Sequence, residues 1–138
     1  MSVGILLITH NNLGEVLLDT ALVNLGRENP GAQTIQVSFD ADPDALLAQS
    51  RHIVKKINKG DGVLVLTDLY GSTPSNIAHK LTDMDNTHVI AGINLAMVMK
   101  AINYAEDSID ILIERTLKAG KNAILATYAN ENQKQRNG

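Results

Sequence analysis

The sequence contains no cysteine and no tryptophan, and aromatic residues make up only 3% of its 138 residues. The absence of cysteine excludes disulfides, a thiol nucleophile and a thiolate zinc site, so a metal site would have to use the four histidines. The scarcity of aromatics, the net charge of -3 and the lack of any basic cluster larger than Lys55-Lys56 leave little basis for binding nucleic acid. Small molecules or other proteins are the expected partners.

Long hydrophobic runs are also missing. No apolar stretch approaches the roughly 20 residues that a membrane helix needs, and residues 1–9 lack the basic start and the cleavage site of a signal peptide. The sequence therefore predicts a cytoplasmic protein. The hydrophobic fraction of 44% and the charged fraction of 20% are typical of a globular chain, and the length suits one ordinary domain.

Strand and helix patterns alternate along the chain. Short apolar runs bounded by turn residues predict strands at residues 2–9, 33–39, 62–67, 87–91 and 123–128. Apolar residues at helical spacing predict helices at residues 14–27, 42–60, 74–81, 94–105 and 108–119. This order predicts an α/β fold, a single doubly wound domain with a mostly parallel sheet of four strands and a C-terminal edge strand. We expect the domain to occupy residues 1–129 and a polar tail to occupy residues 130–138.

Polar residues stand at the carboxyl ends of three predicted strands. His10 ends the first strand, Asp68 follows the third, and Asn94 lies just beyond the fourth. Ligands of open α/β sheets bind beyond the carboxyl ends of the strands, so we expect these ends to converge on one crevice. A carboxylate that accepts the proton of one ring nitrogen leaves the other nitrogen free to attack. His10 and Asp68 are therefore the candidate catalytic pair; the alternative is two loop residues that only hydrogen-bond or cap a turn.

The segment after Asp68 suits a phosphoryl group. Gly71 permits close backbone approach, Ser72 and Thr73 offer hydroxyls, and a helix beginning near Pro74 directs unpaired N–H groups towards the crevice. Read alone, the same residues also make an ordinary helix-capping turn.

The remaining histidines are not predicted to carry chemistry. His52 and His79 fall within predicted helices and are expected at the surface, while His88 lies at the opposite, amino end of a strand. A metal site built from them is geometrically unfavourable, and no metal is predicted. No dinucleotide, serine-hydrolase or P-loop signature occurs, so no cofactor is predicted either.

Three segments carry a family resemblance: ILLITH ending at His10, VLVLTDLYGSTPSNIA ending at Ala78, and VIAGINLAM ending at Met97. Together they resemble the mannose-family (type 4) EIIA component of the bacterial phosphoenolpyruvate-dependent sugar phosphotransferase system, over nearly the whole chain. One departure is Ala96, which stands where that family usually has proline.

The resemblance implies a phosphohistidine carrier. His10 would accept a phosphoryl group from the phosphocarrier HPr and pass it to an EIIB partner, Asp68 would hold the ring, and Gly71, Ser72 and Thr73 would line the phosphoryl site. Transfer between two histidines is nearly a symmetric exchange and needs no metal or nucleotide.

The resemblance also implies partners and an assembly state. It implies an EIIB on a separate chain, a homodimer formed through the C-terminal strand, and contact with the membrane only indirectly through an EIIC/EIID complex. Two related functions stay open: a regulatory phosphoprotein without transport, and the phosphoryl-donor subunit of a dihydroxyacetone kinase. A plain ligand-binding α/β domain is the third alternative.

Overall fold

The computed structural model describes residues 2–130 and confirms the α/β fold. Within this range four parallel strands form one sheet: β1 (Gly4–His10), β2 (Gln33–Val37), β3 (Val63–Thr67) and β4 (Thr87–Ala91). The helices are α1 (Leu13–Leu25), α2 (Pro43–Ile57), α3 (Thr73–Lys80), α4 (Leu95–Asn103) and α5 (Ile109–Asn122), with a 3₁₀ turn at Leu81–Asp83. The predicted bounds of these elements differ from the observed ones by a few residues at most ends.

The sheet is covered on both faces, which explains the continuous apolar runs of its central strands. All five residues of β3 are buried, and the four apolar ones alternate between two cores. Leu64 and Leu66 pack on the side of α1, α4 and α5, whereas Val63 and Val65 pack on the side of α2 and α3. Side chains of a strand point alternately to opposite faces, so a strand buried on both faces needs apolar residues at every position.

The strand order β2-β1-β3-β4 sets the position of the site. The chain passes from β1 outward to β2, crosses back over β1 to β3 and then continues to β4. The direction of winding therefore reverses between β1 and β3, and a crevice is expected at their carboxyl ends. Because Ile8 pairs with Thr67, His10 and Asp68 lie just beyond the last pair of this ladder.

Helix α2 begins as predicted. The Asp42 side chain accepts a hydrogen bond of 3.0 Å from the Asp44 backbone N–H, and Pro43 occupies the first helical turn. Both features are common helix-start chemistry. No helix within residues 2–130 is long and apolar enough to cross a membrane.

The C-terminal segment differs from its prediction. Residues 124–129 follow α5 without joining the sheet of their own chain, and Ile124 and Leu125 are 77% and 86% exposed. The predicted strand at 123–128 is thus not formed within a single chain, because it lacks a partner strand there. Its exchange into a second protomer's sheet stays a prediction. The predicted polar tail at 130–138 lies outside the described residues beyond Asn130.

Candidate active site

His10 and Asp68 meet at the crevice between β1 and β3. Oδ2 of Asp68 lies 2.7 Å from Nδ1 of His10 and also accepts a hydrogen bond of 3.0 Å from the His10 backbone N–H. The His10 side chain is 49% exposed, whereas that of Asp68 is only 11% exposed. A mostly buried carboxylate thus holds one side of an imidazole that is itself half exposed.

The charge state of Asp68 follows from its surroundings. Partial burial acts to raise the pKa of Asp68, but hydrogen bonds from the backbone and ring of His10 and from the Leu69 N–H more than offset it, and the net pKa is lowered. Asp68 is therefore ionised at neutral pH. An ionised carboxylate can only accept hydrogen bonds, so Nδ1 of His10 carries a proton, and in the neutral form of the ring Nε2 keeps its lone pair.

The loop after Asp68 is ordered by its own polar groups. Gly71 has φ of +87°, a backbone conformation that is strained for any residue with a side chain. This explains why glycine occupies this turn. The Ser72 hydroxyl donates to the Leu69 carbonyl at 2.6 Å, and the Gly71 N–H donates to the Ser75 hydroxyl over 3.3 Å. The Ser72 hydroxyl therefore closes the turn in this conformation.

The first turn of α3 presents unpaired donors beside His10. The backbone N–H groups of Thr73 and Ser75 make no hydrogen bond within residues 2–130, while the Asn76 N–H is the first to bond inside the helix, to the Ser72 carbonyl at 2.9 Å. Thr73 and Pro74 line the same cleft as His10. Unpaired N–H groups and the positive end of the helix dipole favour an anion at this place.

The opposite wall of the cleft was missed by sequence analysis. The cleft has a volume of about 540 Å³, and Val37, Phe39, Ala41 and Pro43 line it from the carboxyl end of β2 and the following loop. This end borders His10 because β2 pairs with β1 on the side away from β3. The strand order determines which residues form this wall, and sequence periodicity does not reveal that order.

Asn94 has a structural position rather than one in the cleft. Its Oδ1 accepts from the Met97 N–H at 3.0 Å, and its Nδ2 donates to the Gly120 carbonyl at 3.2 Å. Just before it, the Gly92 N–H donates to the carbonyls of Thr67 and Asp68, each at 3.0 Å. The segment after β4, which was predicted to reach the crevice, thus stabilises the backbone at Asp68 through Gly92.

The remaining histidines lie apart from His10. His52 is exposed, and His88 Nε2 lies 3.0 Å from the Asn86 side-chain oxygen at the other end of the sheet. His79 is half-buried at the surface: its ring packs edge-on against Tyr70 at 5.2 Å between centroids, and its Nε2 is buried without a hydrogen bond. Among residues 2–130, no three His, Asp or Glu side chains gather in a way that could hold a metal ion.

Fold and site together define a doubly wound α/β domain that presents one imidazole, held by a carboxylate, at its topological switch point. The family model described as "PTS system fructose IIA component" (EIIA-man) matches residues 4–117. The chain belongs to this family of phosphotransferase-system components.

Curated relatives agree with this assignment. The chain is 30% identical over 133 residues to the "PTS system mannose-specific EIIAB component" of Escherichia coli K12, with 94% of this chain and 41% of that protein covered. The same protein of Shigella flexneri matches with the same figures. The chain thus spans 41% of the length of the curated relatives it matches.

Solved structures share the fold. The mannose/sorbose specific IIA subunit from Enterococcus faecalis superposes with a TM-score of 0.82 at 25% identity, covering 94% of this chain and 97% of that one. The PTS IIA protein associated with the fucose utilization operon of Streptococcus pneumoniae gives a TM-score of 0.78 at 22% identity, with 100% of both chains covered. The second likeness concerns the fold alone.

Proposed function

We propose that this chain is a phosphocarrier that accepts a phosphoryl group on His10 from phospho-HPr and passes it to an EIIB domain during sugar uptake. The observation that carries the proposal is the 2.7 Å contact between His10 Nδ1 and Asp68, which leaves Nε2 as the nucleophile on the exposed side of the ring. Membership of the phosphotransferase-system family supports it.

The reaction is an exchange between two nitrogens. The Nε2 lone pair of His10 attacks phosphorus, the P–N bond to the donor histidine breaks, and that bond's electron pair returns to the donor ring. Asp68 keeps Nδ1 protonated and stabilises the positive charge that the His10 ring acquires, as the carboxylate does in other His–Asp pairs. Alignment of the two rings in the complex supplies most of the remaining rate enhancement.

The oxygens of the phosphoryl group need hydrogen-bond donors, and we assign this role to the loop and the helix start. The N–H groups of Thr73 and Ser75 are already unpaired. The Gly71 N–H is held only by its 3.3 Å contact with Ser75, and the Ser72 hydroxyl needs only to rotate away from the Leu69 carbonyl to become a donor.

The proposal includes an assembly state and a compartment. Ile124 and Leu125 are exposed on a segment that makes no strand in its own chain, and β4 is an edge of the sheet. Exchange of residues 123–128 between two protomers would cover the exposed apolar segment and the free edge of β4. We place the homodimer in the cytoplasm, in contact with the membrane only through an EIIC/EIID complex.

One assay tests the proposal. The chain is incubated with phosphoenolpyruvate, enzyme I and HPr, and intact mass spectrometry measures a phosphate that is labile in acid and stable in base. Omission of HPr should prevent the modification. A chain that stays unmodified when HPr is present, or a phosphate stable in acid, would overturn the proposal.

A further inference from the structure

The loop between β2 and α2 exposes an unusually large apolar side chain beside His10. Phe39 is the only phenylalanine of the sequence, and its side chain is 106% exposed although it stands at the rim of the cleft. Leu69 and Tyr70, in the loop that carries Asp68, are 65% and 75% exposed. Exposed apolar side chains grouped around a functional site are typical of a protein-binding surface.

The charges around the cleft have one sign. The four loops that follow the strands at this end of the sheet, residues 11–12, 38–42, 68–72 and 92–94, contain no lysine or arginine. The loop after β2 and the first turn of α2 instead carry three aspartates, at positions 40, 42 and 44. Asp42 caps α2. Asp40 and Asp44 are exposed, and their charges face solvent.

A phosphoryl group arriving at His10 therefore meets no cation of this chain in the loops around it. Its negative charge adds to that of Asp68, Asp40 and Asp44, and what favours the group on this side is the backbone N–H groups at the start of α3 rather than a cationic side chain. Cationic side chains have to be supplied from the donor side.

We infer that residues 38–44 form a docking surface for the phosphoryl donor, a protein whose matching face is basic and has an apolar depression for the Phe39 ring. The inference rests on the proposed function. A basic face neutralises Asp40 and Asp44 and at the same time brings cations to the transferring phosphoryl group. An acidic partner, or the same surface of a second copy of this chain, would be repelled.

The test compares two phosphoryl donors in rapid-mixing experiments. Phospho-HPr needs the docking surface, whereas phosphoramidate is a small donor that reaches the ring without a protein interface. For Phe39→Ala we expect the ratio of the second-order rate constant with phospho-HPr to that with phosphoramidate to fall about 10-fold or more, as for a central anchor residue. For the double variant Asp40→Asn/Asp44→Asn we expect the same ratio to fall by a similar factor at low salt. The rate constant with phospho-HPr should also depend less on salt than in the parent chain.

Matched controls lie at the far end of the molecule. Val23→Ala removes an apolar side chain that is 80% exposed near the end of α1, and Glu28→Gln removes an exposed charge in the loop after it. Both should keep the ratio of the parent chain. Thermal unfolding should show that Phe39→Ala is folded, since its side chain packs against little of its own chain.

The outcomes separate the two proposals. If the parent chain takes no phosphate from either donor, the proposed function fails and the docking surface fails with it. If the parent chain reacts but Phe39→Ala keeps the parent ratio, only the docking surface is overturned. A faster reaction of the aspartate variant with phospho-HPr, or a change of oligomeric state in Phe39→Ala measured by light scattering, also overturns it, in favour of an acidic partner or a second copy.

Discussion

A single oxygen atom of Asp68, Oδ2, accepts from both the ring Nδ1 and the backbone N–H of His10, a residue 58 positions earlier, at 2.7 and 3.0 Å. The other oxygen accepts from the Leu69 N–H at 3.0 Å. The carboxylate thus holds the imidazole and the end of β1 together, and its own orientation is set by the loop that follows it. Ring orientation and backbone geometry at His10 depend on the same side chain.

His10→Ala should abolish the uptake of phosphate, because no other ring nitrogen faces the cleft among the described residues. Uptake is measured by intact mass after incubation with phosphoenolpyruvate, enzyme I and HPr. His52→Ala and His88→Ala are matched controls, since both rings lie away from the cleft, and each should be modified like the parent chain. Phosphate on His10→Ala would show that another residue is the acceptor.

Asp68→Asn should slow the uptake of phosphate by on the order of 10² or more, because the same change in a catalytic His–Asp pair has a large effect on rate. The amide keeps the shape of the side chain but can direct either a donor or an acceptor towards Nδ1, so the tautomer is no longer set. It also loses the negative charge that stabilises the phosphorylated ring, so less phosphoprotein should accumulate at equilibrium. Rapid quenching measures the rate, and Asp19→Asn, an exposed position on α1, is the control. Transfer at the parent rate would contradict the role of Asp68.

Acid should remove a contribution of Asp68 to stability. Its pKa in the folded protein is lowered, because hydrogen bonds from His10 and Leu69 outweigh the opposing effect of burial. A carboxyl group of this kind stabilises the fold above its unfolded pKa of about 3.9 and loses this contribution as the pH falls through its lower folded pKa. The difference in unfolding free energy between the parent chain and Asp68→Asn should therefore be largest near neutral pH and shrink below about pH 4. Urea unfolding from pH 3 to 7 measures it, and a difference that grows in acid would refute the assignment.

Gly120→Ala should destabilise the protein although alanine favours helices. A Cβ at this position would lie 2.6 Å from Met97 Cγ and 2.7 Å from its sulfur. Overpacking costs about 1–3 kcal/mol, against roughly 1 kcal/mol gained from helix propensity. We expect a net loss in unfolding free energy measured with urea. Lys118→Ala on the exposed face of α5 is the control and should have little effect. An increase in stability for Gly120→Ala would mean that the Met97 side chain moves aside at little cost.

Deletion of residues 122–138 should convert the proposed homodimer into a monomer and lower its stability. The deletion removes the segment that, in the proposed dimer, pairs with the sheet of the other protomer. Leu125→Asp should do the same by placing a charge on that segment. Light scattering at micromolar concentration measures the mass, with Val23→Asp, which changes a similarly exposed apolar residue on α1, as the control. A monomeric parent chain would rule out the exchanged strand.

Local sequence was sufficient for most elements of this fold. The apolar runs that became β1, β3 and β4, and the Asp42-Pro43 helix start, depend on residues that are neighbours along the chain, so their chemistry is visible without the fold. The position of His10 and Asp68 at strand ends followed from the same runs. Their meeting in one crevice was predicted from the general rule for open α/β sheets, and in the structure the two side chains lie 2.7 Å apart.

The rest required the tertiary structure. Pairing between strands joins residues far apart in sequence, and the order β2-β1-β3-β4 alone placed Phe39 at the rim of the cleft. The packing of α4 against α5 likewise brought the Asn94 side chain within hydrogen-bond distance of the Gly120 carbonyl. The fold of the loop before α3 placed Tyr70 against His79. The sequence by itself determined which residues form β1 to β4 and which polar residues end β1 and β3. Only the tertiary structure decided which loops border His10, because that depends on contacts that no local pattern encodes.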